Sequence, residues 1–149
     1  MLFRSLVAGD TNGIYDIFVK DLATGTITRV STTAAGAQGT GRSFSSSGSD
    51  SPVFSPDGTK IAFNSVASNL VAGDTNGADD VFVKDLATGA ITRVSTTAAG
   101  AQGNGDSVSP VFSPDGTKVA FQSSASNLVA DRKSTRLNSS HLVISYAVF

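Results

Sequence analysis

Apolar and polar positions alternate with a period of two through most of this chain. Across Lys60 to Ser65, Ile61 and Phe63 fall on one face of an extended strand and Ala62 on the other. Across Asp80 to Leu86, Phe82 opposes Val81 and Val83. Two further apolar or β-branched runs, Pro52 to Ser55 and Ala90 to Thr96, complete a set of four predicted strands. Ser55-Pro56-Asp57-Gly58 supplies proline where a tight turn needs a fixed negative φ and glycine where it needs a positive one. Ala87-Thr88-Gly89 makes a second tight hairpin for the last pair, with glycine placed for a positive φ. The stretch from Ser51 to Ser95 therefore predicts a four-stranded antiparallel sheet with apolar groups on both faces. Such a sheet has no stable existence alone; stacked copies shelter each other, as in a propeller or a solenoid.

The copies are present in the chain. Leu6 to Gly39 matches Leu70 to Gly103 at an offset of 64, with 30 of 34 positions identical. Ser51 to Ala72 matches Ser109 to Ala130 at an offset of 58, with 19 of 22 identical. The difference is a Ser/Gly-rich insert of six residues between Gly41 and Ser51, read as a lengthened surface loop. In order, the chain supplies the last two strands of one unit (Asp16 to Leu22, Thr26 to Thr32), one complete unit, then the first two strands of the next (Pro110 to Ser113, Lys118 to Ser123). These eight strands make two blades' worth of sheet, fewer than the roughly four that a closed ring needs. The expectation is an all-β, incomplete β-propeller with exposed strand edges and apolar faces.

The ends match neither copy. Met1 to Ser5 and Asp131 to Phe149 resemble translated sequencing adapter, and they are set aside from the repeat. The resulting division is 1–5 adapter-like, 6–50 the second half of one blade plus an inter-blade loop, 51–108 a complete blade plus its loop, 109–130 the first half of the next, and 131–149 adapter-like. With the ends set aside, the single His (His141) and the single Met (Met1) are gone, every acid is Asp, and the formal charge is about −4. No basic face for nucleic acid is expected from this composition. The run from His141 to Phe149 is too short to span a bilayer.

SPVFSPDGTKIAF followed by DVFVKDLATGAITRVS resembles the WD40-like PD40 repeat of bacterial propellers of the TolB type. The resemblance covers Leu6 to Ala130 and implies a propeller fold, a periplasmic or extracellular location and a protein-interaction role. Units of 58 to 64 residues exceed the roughly 40–50 of common blades. The excess is assigned to two long loops, Ala67 to Asp79 within the blade and Thr97 to Ser107 between blades.

The candidate chemistry is Gly-Asp-Thr-Asn-Gly-x-x-Asp, which occurs twice: Asp10, Asn12, Gly13 and Asp16, then Asp74, Asn76, Gly77 and Asp80. Calcium loops place short oxygen side chains at alternate positions around a glycine that permits a sharp turn. Four positions of that pattern fit here; the first does not, being Ala8 or Ala72. Asp79 adds an oxygen in the second copy, where the first has Tyr15. Two readings stand: a Ca²⁺ site formed by Asp74, Asn76, Asp79 and Asp80, with Asp10, Asn12 and Asp16 in the other copy, or Asx turns that order a long loop with no metal. Asp21 and Asp85 are expected to accept turn amides. Lys20, Arg29, Lys84 and Arg93 are expected to be solvated or bonded to nearby Asp side chains. Arg42 and Asp106 fall in inter-blade loops.

Between Leu6 and Ala130 there is no His, Cys or Glu and no Gly-x-Ser-x-Gly elbow, so no catalytic residues are assigned. The function expected is a non-catalytic binding or scaffold module with a protein or carbohydrate partner, packed against neighbouring blades of the same parent chain. Alternatives are the propeller accessory domain of a prolyl-oligopeptidase-like hydrolase and a calcium-binding secreted adhesin or exoprotein.

Overall fold

The computed structural model describes residues 7–43 and 51–129, together with the backbone of a strand at 147–148. Among these residues the architecture is all-β. The strands are β1 (Phe18–Lys20), β2 (Ile27–Arg29), β3 (Val53–Phe54), β4 (Lys60–Ser65), β5 (Asp80–Asp85), β6 (Ile91–Arg93), β7 (Ser107–Phe112), β8 (Lys118–Ser123) and β9 (Ala147–Val148). They form three antiparallel sheets in the orders β1-β2, β3-β4-β5-β6 and β7-β8-β9. The middle sheet is the complete meander that the sequence predicts, with β4 and β5 paired along their full length from Lys60↔Asp85 to Ser65↔Asp80.

The turns form where the sequence places them. The Ser55 carbonyl accepts from the Gly58 N–H at 2.8 Å, and Gly58 has φ +71°. Asp57 holds the turn from inside, accepting from the Ser55 hydroxyl, the Thr59 N–H and the Thr59 hydroxyl. Asp85 accepts from the N–H groups of Ala87 and Thr88, and Asp21 from those of Ala23 and Thr24, as expected.

Both faces of the middle sheet are covered. Ile61, Phe63 and Phe82 meet Ile17 and Val30 of the first repeat, together with Ala67 and Leu70 of their own loop. Ala62, Val81 and Val83 on the opposite face meet Phe112, Val119 and Phe121 of the third sheet. Burying each of these larger side chains contributes roughly 1.5–3 kcal/mol, so the two-faced pattern holds the stack together. The arrangement is that of an incomplete β-propeller: successive meander sheets, each sharing its faces with its neighbours.

The structure corrects the sequence reading at β7 and at Lys84, and it adds detail at the insert and at the C-terminal strand. The first strand of the third sheet begins at Ser107 rather than Pro110, because a bulge between Val108 and Val111 lets pairing resume three residues earlier. Ser109 absorbs the irregularity at φ +56°. Ser43 hydrogen-bonds Ser65 as Ser107 does Ser123, so the six-residue insert follows Ser43, in a segment outside the described residues. Lys84 is buried rather than solvated, and Ala147 and Val148 pair with Val119 and Lys118, so part of the adapter-like stretch is a strand. An open edge such as that of β8 accepts any extended segment within reach. Met1 to Leu6 and 130–146 lie outside the described residues.

Candidate functional site

Each sheet has two unlike ends. The tight hairpins at 55–59, 86–90 and 113–117 gather at one end, while the long loops at 66–79 and 96–106 gather at the other. The Asp-Thr-Asn-Gly motifs lie at the long-loop end, directly before β1 and β5.

In the second copy, Asn76 turns the loop. Its Oδ1 accepts from the Ala78 N–H at 3.1 Å, and its Nδ2 donates to Asp80 Oδ2 at 3.1 Å and to the Gly103 carbonyl at 2.8 Å. Asp80, fully buried at the start of β5, accepts from the Ser95 hydroxyl, which in turn accepts from the Val81 N–H. Arg93 at the end of β6 places Nη1 3.2 Å from Asp74 and 3.3 Å from Asp80, so one guanidinium bridges the two carboxylates. Gln102 Oε1 completes the cluster, accepting from Arg93 at 3.0 Å and from the Thr75 N–H at 3.2 Å. Burial first, and the Asp80 carboxylate second, push the Asp74 carboxyl upward against the opposing pull of Arg93.

The first copy repeats this network. Asn12 bonds Asp16, Gly39 and the Ile14 N–H; Ser31 donates to Asp16; and Arg29 lies 3.4 Å from Asp10 and 3.5 Å from Asp16. Gln38 clasps Thr11 in the same way as Gln102 clasps Thr75.

The structure thus brings Asp74, Asn76 and Asp80 together, and likewise Asp10, Asn12 and Asp16. Asp79 stands apart from its set. It points to Arg42 at 3.5 Å and to Asn64, and its N–H donates to Asp106 at 3.0 Å. Among the described residues, no group of three or more acidic, His or Cys side chains converges in a way that could hold a metal ion. What the motif alone does not reveal is the partner set of Arg29, Arg93, Ser31, Ser95, Gln38 and Gln102. The signal was available, since each of these residues recurs at the same offset of 64 as the motif itself.

A second set of ties fixes the loops to one another. Asn69 donates to the Gln38 carbonyl and accepts from the Thr40 N–H, both at 2.9 Å, and Asn127 does the same for Gln102 and Asn104 one repeat later. Gly41 lies so close to the next loop that a Cβ there would sit 2.8 Å from the backbone of Val66 and Ala67.

Meander sheets stacked on both faces, with long loops at one end, define the β-propeller class. No family model matches the chain, and no curated protein does. Among solved structures it is similar to a candidate TolB from Agrobacterium tumefaciens, at 25% identity and a TM-score of 0.49, over 81% of this chain and 34% of that one. The chain thus spans about a third of the length of that structure. No helix among the described residues is long and apolar enough to cross a membrane.

Proposed function

We propose that this chain is part of a non-catalytic propeller that binds a protein or a carbohydrate at the end of its sheets where the long loops gather. One observation carries the reading. Both kinds of long loop are tied down by side-chain bonds to backbone, through Asn12, Asn76, Asn69 and Asn127, and such ties preorganise an irregular surface at the end of the sheets. The lack of His, Cys and Glu between Leu6 and Ala130 supports a binding role. We place the parent protein in the periplasm or outside the cell on the resemblance of its repeats.

The test is an oligosaccharide and peptide array read with the labelled chain. Ala72→Lys and Ala98→Lys, exposed at the long-loop end, should weaken binding at least about tenfold, while Ala23→Lys and Ala87→Lys at the hairpin end should leave it unchanged. The opposite pattern sinks the proposal. So does hydrolysis of p-nitrophenyl esters or dipeptide coumarin amides that Asp79→Asn or Asp106→Asn abolishes.

We also propose that Arg29 and Arg93, rather than Ca²⁺, order the Asp-Thr-Asn-Gly loops. Each guanidinium already lies within 3.5 Å of both carboxylates of its pair, where a cation would otherwise sit. Amide exchange over residues 73–80 should then be the same in calcium and in EDTA. Slower exchange in calcium would restore the metal reading.

A further inference from the structure

Of the five large apolar side chains left exposed among the described residues, Tyr15, Leu22, Phe54, Val111 and Val129, three follow one rule. Leu22 is 90% exposed, Phe54 49% and Val111 57%, and each has a counterpart one repeat away that is more deeply packed. Leu86, the counterpart of Leu22, packs against the cluster of Ile17 and Val30. Phe112, the counterpart of Phe54, is buried in the cluster that contains Ala62 and Val53. Val53, the counterpart of Val111, packs on that same cluster from the other side.

A polar residue follows the same rule. Lys84, only 6% exposed, donates to the Thr32 carbonyl at 2.8 Å, the Thr32 hydroxyl at 2.6 Å and the Thr33 carbonyl at 3.0 Å, which fastens β5 to the preceding repeat. Its counterpart Lys20 is exposed. Thr32 is buried, whereas its counterpart Thr96 is only partly so. One chain therefore holds an exposed Lys20 on its first sheet and, beside its third, Thr96 and Thr97 in the place of the Lys84 acceptors, the Thr97 carbonyl accepting from the Gly100 N–H at 2.9 Å as the Thr33 carbonyl does from Gly36 at 3.0 Å.

The strands match as well. β7–β8 repeats the sequence of β3–β4, and β1–β2 repeats that of β5–β6. The edge of β8 that corresponds to the β5 edge of β4 carries, among the described residues, the two-residue β9, with Ala147 opposite Val119 where Lys84 stands opposite Ile61.

We infer that two copies of this chain join head to tail by sharing one blade, β7–β8 of one copy pairing with β1–β2 of the next. In that union β1 lies along β8 as β5 lies along β4, with Lys20 paired to Val119. The Lys20 ammonium donates to the carbonyls of Thr96 and Thr97 and to the Thr96 hydroxyl. Leu22 of the incoming copy packs near Val94, and its Phe54 covers Val111 and Ala120. The contact is heterologous, so each copy keeps one donor sheet and one acceptor sheet, and β9 competes for the acceptor edge.

Sedimentation velocity over a dilution series tests this. The chain should associate beyond the dimer, and Lys20→Glu or Val111→Glu should each weaken association at least about tenfold without shifting the melting temperature of the dilute chain. Ala147→Pro, which removes β9 from the edge, should strengthen it. The decisive sample is a mixture. A Lys20→Glu chain has an impaired donor and a Val111→Glu chain an impaired acceptor; at a concentration where each alone should be monomeric, together they should form a dimer and nothing larger. The proposal fails if the chain stays monomeric with and without Ala147→Pro, if Lys20→Glu leaves association unchanged, or if the mixture does not dimerise. None of these readouts depends on what the long-loop end binds.

Discussion

Lys84 and Lys20 occupy the same place in two copies of one repeat, yet one is buried on three acceptors and the other is exposed. Strand alternation gives the face on which each lysine lies. It cannot give what covers that face, because the cover comes from a different repeat, and Lys84 was accordingly expected in solvent or on a nearby Asp. Lys84→Ala leaves two carbonyls and a hydroxyl without their donor and should cost about 1–3 kcal/mol in urea unfolding. Lys20→Ala should stay within about 0.5 kcal/mol of the unaltered chain. The turn aspartates, by contrast, were legible. Asp57 is held down from its ordinary 3.8 to about 2, chiefly by the Ser55 hydroxyl and then by Thr59, and Ser113 and Thr117 do the same for Asp115. With a folded value below the unfolded one, the stability these groups confer is complete above about pH 4 and is lost as pH falls through about 2. Asp57→Asn should therefore lower the melting temperature at pH 6 and leave it nearly unchanged at pH 2.

At the scale of elements, the strands and hairpins were legible because period-two alternation and the Pro-Asp-Gly and Thr-Gly turns are local signals. The bulge in β7 was not, since Ser-Val-Ser carries no glycine to announce it and Ser109 adopts its positive φ only because β8 demands the register. The long loops were recognised as loops, and Asx turns and Arg–Asp bonds were among the readings open for them. The rest of their anchoring was not legible: it depends on Gln102 reaching back from another element and on the closeness of Gly41 to Val66 and Ala67. Gly41→Ala would press a methyl group into that backbone and should cost about 1–3 kcal/mol in thermal or urea unfolding. Gly36→Ala, where nothing lies within 4 Å but φ is +86°, should cost about 1 kcal/mol from the backbone alone.

At the scale of the whole molecule, a sheet with oily groups on both faces announced stacking, and the stack is present. Its consequence for dynamics is a gradient of protection. Amides of residues 61–65 and 81–85, sheltered on both sides, should exchange slowest, and those of 18–20 and 27–29 markedly faster, in native-state hydrogen exchange. The same repetition raises a question of pairing fidelity during synthesis. A ribosome releases β1 before β5, and the two are nearly the same strand, so β4 meets an impostor first. Closing the 14-residue loop at 66–79 instead of the longer path back to β1 favours the right partner by only about 1 kcal/mol. The remaining discrimination falls to the few positions where the copies differ. Chief among them is Asp79, seated between Arg42 and Asn64, where the impostor would bring Tyr15. Asp79 is the difference between the twin hairpins that Arg42 and Asn64 meet directly.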